Sequence, residues 1–250
     1  MLKRSVLLST VCAITLSGCI INVSKANMGP LEHQHQSMQL EASELEGLIA
    51  TTGAGALNIQ GVEGLTHIKL EADVYTYDGV QPNLSLKRQG NQAIVVADFN
   101  HHSHSGRSPY IDVTLRVPAR FNMEIDDGSG SIDIEGVKAN IAISDGSGSL
   151  SVTDGANLSI NDGSGSIEVR NIDGAVKVDD GSGSMSLANI GGDVMINDGS
   201  GDLSVKDVSG KVTIDDGSGD INVVNAQALD IIDAGSGDVN VDNVERSMAM

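Results

Sequence analysis

From about residue 126 the chain alternates apolar and polar positions in short runs, as in Ser131-Ile132-Asp133-Ile134 and Ser166-Ile167-Glu168-Val169. Alternation of period two puts the aliphatic side chains on one face of a strand. The inward pairs of a first strand are Ile132/Ile134, Leu150/Val152, Ile167/Val169, Met185/Leu187, Leu203/Val205, Ile221/Val223 and Val239/Val241. A second run supplies Ile141/Ile143, Leu158/Ile160, Val176/Val178, Val194/Ile196, Val212/Ile214 and Leu229/Ile231. Before each first strand stands a tetrad, Asp-Gly-Ser-Gly from Asp127, Asp145, Asp162, Asp180, Asp198 and Asp216, and Ala-Gly-Ser-Gly from Ala234. Successive tetrads start 17 or 18 residues apart, the signature of a stacked repeat. Between the two strands of a repeat lies a looser corner whose apolar members, Val137, Ile172, Ile190 and Val208, plug the end of the core.

A strand and its return strand cannot pair as a hairpin and also keep identical turns in column. Each repeat is therefore one coil, bonded to the coils above and below it. The fold expected is all-β: a parallel β-solenoid with two short strands per coil of about 18 residues, its strands forming two parallel sheets. One coil has too few apolar side chains to order itself, so stability has to come from stacking. Upstream, residues 37–120 have longer alternating stretches and no tight period. Gly53-Ala54-Gly55-Ala56-Leu57-Asn58-Ile59-Gln60-Gly61-Val62 nevertheless matches residues 128–137 position for position. This section reads as a wider beginning of the same structure, capping the repeats of residues 121–243. Residues 244–250 form a short tail. Either it folds over the last coil, or it leaves that coil as a docking edge for an envelope or surface partner strand or a second copy.

The chain opens with Met1-Leu2-Lys3-Arg4 and an apolar run to Leu16, too short to span a membrane and built like an export signal. Its end, Leu16-Ser17-Gly18-Cys19, resembles the bacterial lipobox. That resemblance implies removal of residues 1–18, a lipid on Cys19, and a lipidated tether over residues 19–36. Ile20, in place of Asp, is similar to the sorting pattern of outer-membrane lipoproteins, facing the periplasm or the surface. Cys12 and Cys19 are the only cysteines, and Cys12 lies in the signal, so the mature chain has no disulfide of its own.

The full chain carries a formal charge of −19, and loss of Lys3 and Arg4 with the signal takes it to −21. Such a surface repels nucleic acid and anionic headgroups. The acids concentrate in the tetrads. Stacking at about 4.8 Å brings Asp127, Asp145, Asp162, Asp180, Asp198 and Asp216 into one column up an edge, where neighbouring full charges repel by about 0.9 kcal/mol even in water. Two readings follow. Either each Asp accepts hydrogen bonds from its own Gly-Ser-Gly turn, or the column is a ladder for Ca²⁺, a hard ion that takes carboxylate and carbonyl oxygens. Against Ca²⁺, the Asp precedes the glycines instead of following them as in calcium β-roll repeats; Asp202, Asp220 and Asp238, which follow the last glycine, partly answer this.

His101, His102 and His104 share one loop and have the donor chemistry for a transition metal, but no carboxylate or cysteine accompanies them, which reads as a solvated loop. Residues 126–243 contain no aromatic residue and no histidine, and only five scattered basic residues, Lys138, Arg170, Lys177, Lys206 and Lys211. Without a base for the serines or a platform for sugar rings, no catalytic site is expected.

The lipobox, the Gly-Ala-Gly-Ala-Leu-Asn-Ile-Gln-Gly-Val opening, the section ending Arg116-Val117-Pro118 and the Gly-Ser-Gly repeats together resemble the bacterial putative-adhesin family of β-strand-repeat envelope proteins, a domain of unknown function. The resemblance spans about residues 37–243. It implies a β-solenoid in the cell envelope and transfers no catalytic residues. The function expected is non-catalytic: structural or adhesin-like presentation of a rigid acidic surface, with a Ca²⁺-binding repeat module as the alternative.

Overall fold

A computed structural model of the chain describes residues 30–99 and 107–249, and among them every regular element is a β-strand. The repeat is a parallel β-solenoid. One sheet stacks β10 (Gly148–Gly155), β12 (Gly165–Ile172) and β14 (Met185–Ile190); the other stacks β9 (Ile141–Asp145), β11 (Leu158–Asp162), β13 (Val176–Asp180) and β15 (Val194–Asp198). Three long strands, β8 (Asn122–Glu135), β16 (Leu203–Asp216) and β17 (Ile221–Asp233), run around a corner and contribute to both sheets. β18 (Val239–Ala249) closes the described stack against β17. Equivalent residues stand in register, Ile132 beside Leu150, Ile167, Met185 and Leu203 in turn. The inward columns make one continuous aliphatic core, and the corner residues Val137, Ile172, Ile190 and Val208 are buried within it.

The cap is built out of chain order. β2 (Gly47–Ala54) and β3 (Leu57–Val62) form a coil directly above β8. The coil above that comes from later in the chain, β6 (Gln92–Asp98) over β2 and β7 (Tyr110–Pro118) over β3. β5 (Asn83–Gln89) turns back along β6, β4 (His67–Thr76) pairs antiparallel with β7, and β1 (Glu32–Glu41) pairs antiparallel with β4. β1 overlaps the stretch expected to be tether. Its alternation is invisible because both faces near its start are exposed, so backbone bonding to β4, and not burial, makes it a strand.

Two irregularities occur at the far end. β16 and β17 shift register twice, dropping a residue between Val208 and Lys211 and regaining it after Ile214. The regained residue is Ile232, which is pushed out to 65% exposure. In the last coil Val239 and Val241 are 45% and 39% exposed although their column-mates Ile221 and Val223 are buried, so this pair, expected inside, lies on an open end of the described stack.

Candidate functional site

In every return strand up to β16 the alternation does not stop at the two aliphatic residues. Leu158 and Ile160 face inward, and two residues further so does Asp162. The same parity buries Asp127, Asp145, Asp162, Asp180, Asp198 and Asp216, each at 5% exposure or less. The column therefore lines the interior of the corner, correcting the expectation of an edge. Strand pairing places the six in direct succession, with Thr52 of β2 above them.

One oxygen of each carboxyl holds the turn. Oδ1 of Asp145, Asp162, Asp180, Asp198 and Asp216 accepts the N–H of the serine two residues on, at 3.1–3.2 Å. In the first coil Thr52 donates its hydroxyl to Asp127 Oδ1. The turn also binds its neighbours: Gly163 N donates to Asp145 O at 3.0 Å and Gly165 N to Ser182 O at 2.9 Å. Gly165 has φ +148°, and a Cβ on it would overlap the carbonyl of Gly148, so the second glycine is required by conformation and by stacking.

The other oxygen is stranded. Oδ2 of all six aspartates is buried with no hydrogen-bond partner among the described residues. Burial pushes all six carboxyls above the ordinary Asp range, Asp145 and Asp198 to about 6, with neighbouring aspartates adding to the rise at every one but Asp162. For Ca²⁺ the arrangement is poor. The ion takes six to eight oxygens, and each coil offers one spare carboxyl oxygen. No group of three or more His, Cys, Asp or Glu side chains among the described residues is placed to hold a metal ion. Asp202 and Asp220 serve the stack differently, accepting the N–H of Asp220 and Asp238 on the following coils at 3.2 and 2.9 Å.

Three further features escaped the sequence reading. The corner after the first strand is turned by a column of left-handed residues, Asp154, Asn171, Asn189, Asp207, Asn225 and Asn243, with φ from 53° to 75°. Asn and Asp tolerate this conformation better than other L-residues. Their recurrence just before the corner's apolar plug was the available signal. Asn189 donates to Asn171 at 3.0 Å and Asn243 to Asn225 at 2.7 Å, bonding successive coils side chain to side chain. On the cap, His33 and His35 converge on Asp73 Oδ1 at 2.8 and 3.0 Å, holding its carboxyl below the usual range, and His33 stacks on Tyr75, which stacks on Tyr110. Along the second sheet runs an open groove of about 780 Å³ lined by Asn140, Ala142, Ser159, Lys177 and Met195 among others. Cys19 and the histidines at 101, 102 and 104 lie outside the described residues.

The sequence profile of the Toastrack DUF4097 family matches residues 79–249, more than half of the chain. The chain belongs to the Toastrack DUF4097 family. No curated protein matches. Among solved structures, this toastrack protein is similar to a putative adhesin from Parabacteroides distasonis, with 12% identity, a TM-score of 0.44 and coverage of 86% of this chain and 97% of that one. It is likewise similar to a putative cell adhesion protein from Clostridium sporogenes, at 13% identity, a TM-score of 0.35 and coverage of 84% and 99%.

Proposed function

We propose that this toastrack protein is a non-catalytic, lipid-anchored protein of the bacterial envelope that presents a rigid, acidic, repetitive surface in a structural or adhesin-like role. The observation that carries the reading is the in-register stack. Strand pairing stacks the outward positions of successive coils, so that Asp133, Ser151, Glu168, Ser186 and Ser204 stand in one polar row along the first sheet. A partner would meet many weak polar contacts at regular spacing, and affinity would grow with the number of coils engaged. The elongated, open groove along the second sheet supports distributed contact of this kind. The lipobox Leu16-Ser17-Gly18-Cys19 supports the anchor. Fractionation of cells producing the full chain tests the placement: the wild type is expected in the membrane fraction and Cys19→Ala in the soluble envelope fraction. An unchanged distribution would remove the anchor from the proposal. Coating beads with lipid-free chain and counting their attachment to intact bacterial cells tests the role, with attachment expected to weaken as coils are excised.

A further inference from the structure

We propose that the buried aspartate column is a proton-storing ladder, in which neutral carboxyl groups donate the hydrogen on Oδ2 to a carboxyl of an adjacent coil, so that the solenoid takes up protons as it folds. Three observations carry this. The six stranded Oδ2 atoms are all buried, and a carboxylate oxygen left so is costly unless it is paired or protonated. Among the described residues no basic side chain acts on any of the six. The charged groups that act on them are carboxylates, namely their own column-mates, the outward-facing Asp126, Asp179 and Asp215 on the same strands, and Asp233 at the far end; Thr52 from β2 is neutral. Beyond Thr52, Asp98 of β6 lies against Gly53 and has a buried, unpartnered oxygen of its own.

The third observation is that the fold already spans the required gap with a side chain of the same shape. Asn157 donates to Asn140 at 2.9 Å and Asn240 to Asn222 at 2.9 Å across neighbouring coils. Asn and Asp are isosteric, and a protonated carboxyl supplies the donor that the amide supplies in those ladders. In the buried column all six positions are Asp, so the donor there has to be a proton taken from solvent. No bond is made or broken beyond this protonation.

The sign follows from the burial. The folded state holds protons up to about pH 6 at Asp145 and Asp198, whereas an unfolded Asp loses them near 3.8. The folded state therefore binds more protons through that window. Stability from Asp145 and Asp198 is complete below about pH 4 and is lost as pH rises through about 6, and the other four aspartates, also raised, act in the same direction. Asp73, held low by its histidines, works in the opposite direction, so the column's share is read by difference from a variant.

The test is urea unfolding of the full chain, carrying Cys19→Ala so that it is lipid-free, between about pH 4 and pH 7. It is compared with the same chain also carrying Asp162→Asn, Asp180→Asn and Asp198→Asn. Relative to the variant, the parent midpoint is expected to fall across the window, and the variant to be the more stable at pH 7. Midpoints that move in parallel would overturn the ladder. So would a parent midpoint at pH 7 that millimolar Ca²⁺ raises and the variant's does not follow, since the column would then take a cation. If the variant does not fold, the infrared carbonyl band of protonated carboxyl in the folded parent at about pH 5 decides. Its presence, lost on unfolding, is expected; its absence overturns the proposal.

Discussion

Asp162 uses its two carboxyl oxygens for different ends, one closing its turn through Ser164 N–H and the other buried without a partner. Its inward direction was legible in the sequence, because Leu158, Ile160 and Asp162 are spaced by two and so share a face. Asp-Gly-Ser-Gly is nevertheless turn chemistry, and turn residues ordinarily face water, which masks that parity. What periodicity could not show is that the strand's geometry persists into the first residue of the turn. The second glycine is the other residue that the coil cannot exchange. Gly165→Ala meets both an unfavourable φ and the Gly148 carbonyl, and is expected to cost more than about 2 kcal/mol in urea unfolding at fixed pH. A neutral result would mean that the turns are not stacked as closely as described.

At the scale of the element, the coils were readable almost to the residue, since core parity, turn and corner recur together. Three features were not. β1 has little buried side chain and is defined by its partner β4, which no local pattern reveals. The cap places β6 and β7 outside β2 and β3, an inversion of chain order that follows from tertiary pairing. In β17 a deletion and a bulge cancel, so the tetrads stay 18 residues apart while Ile232 is expelled and Asp233 takes over the turn bond, accepting Gly235 N–H at 2.9 Å. Because neighbouring coils are interchangeable in register, excision of residues 180–197, one whole coil, is expected to leave a cooperatively folded, shorter solenoid. Removal of residues 180–188 breaks the order of turn, strand and corner and is expected to abolish cooperative folding. Circular dichroism with a thermal melt separates the two; equal behaviour would contradict the coil as the structural unit.

For the whole molecule, rigidity comes from one uninterrupted aliphatic core and from backbone bonds that continue through the turns and corners as well as the strands. The ends differ. Two coils with antiparallel strands cover the N-terminal end, whereas Val239 and Val241 stand open at the other. A stack of this kind frays from its weaker end and holds in its middle, because interior coils have two neighbours. The role proposed for the protein rests on that rigidity, since a flexible chain could not present its polar contacts at fixed spacing. Hydrogen exchange resolved along the chain tests it most directly. Amides of β11 to β15 are expected to exchange slowest and together, with protection decreasing through β17 to β18. Rapid exchange within β11 to β15, or a break in protection between the cap and β8, would contradict a single rigid solenoid.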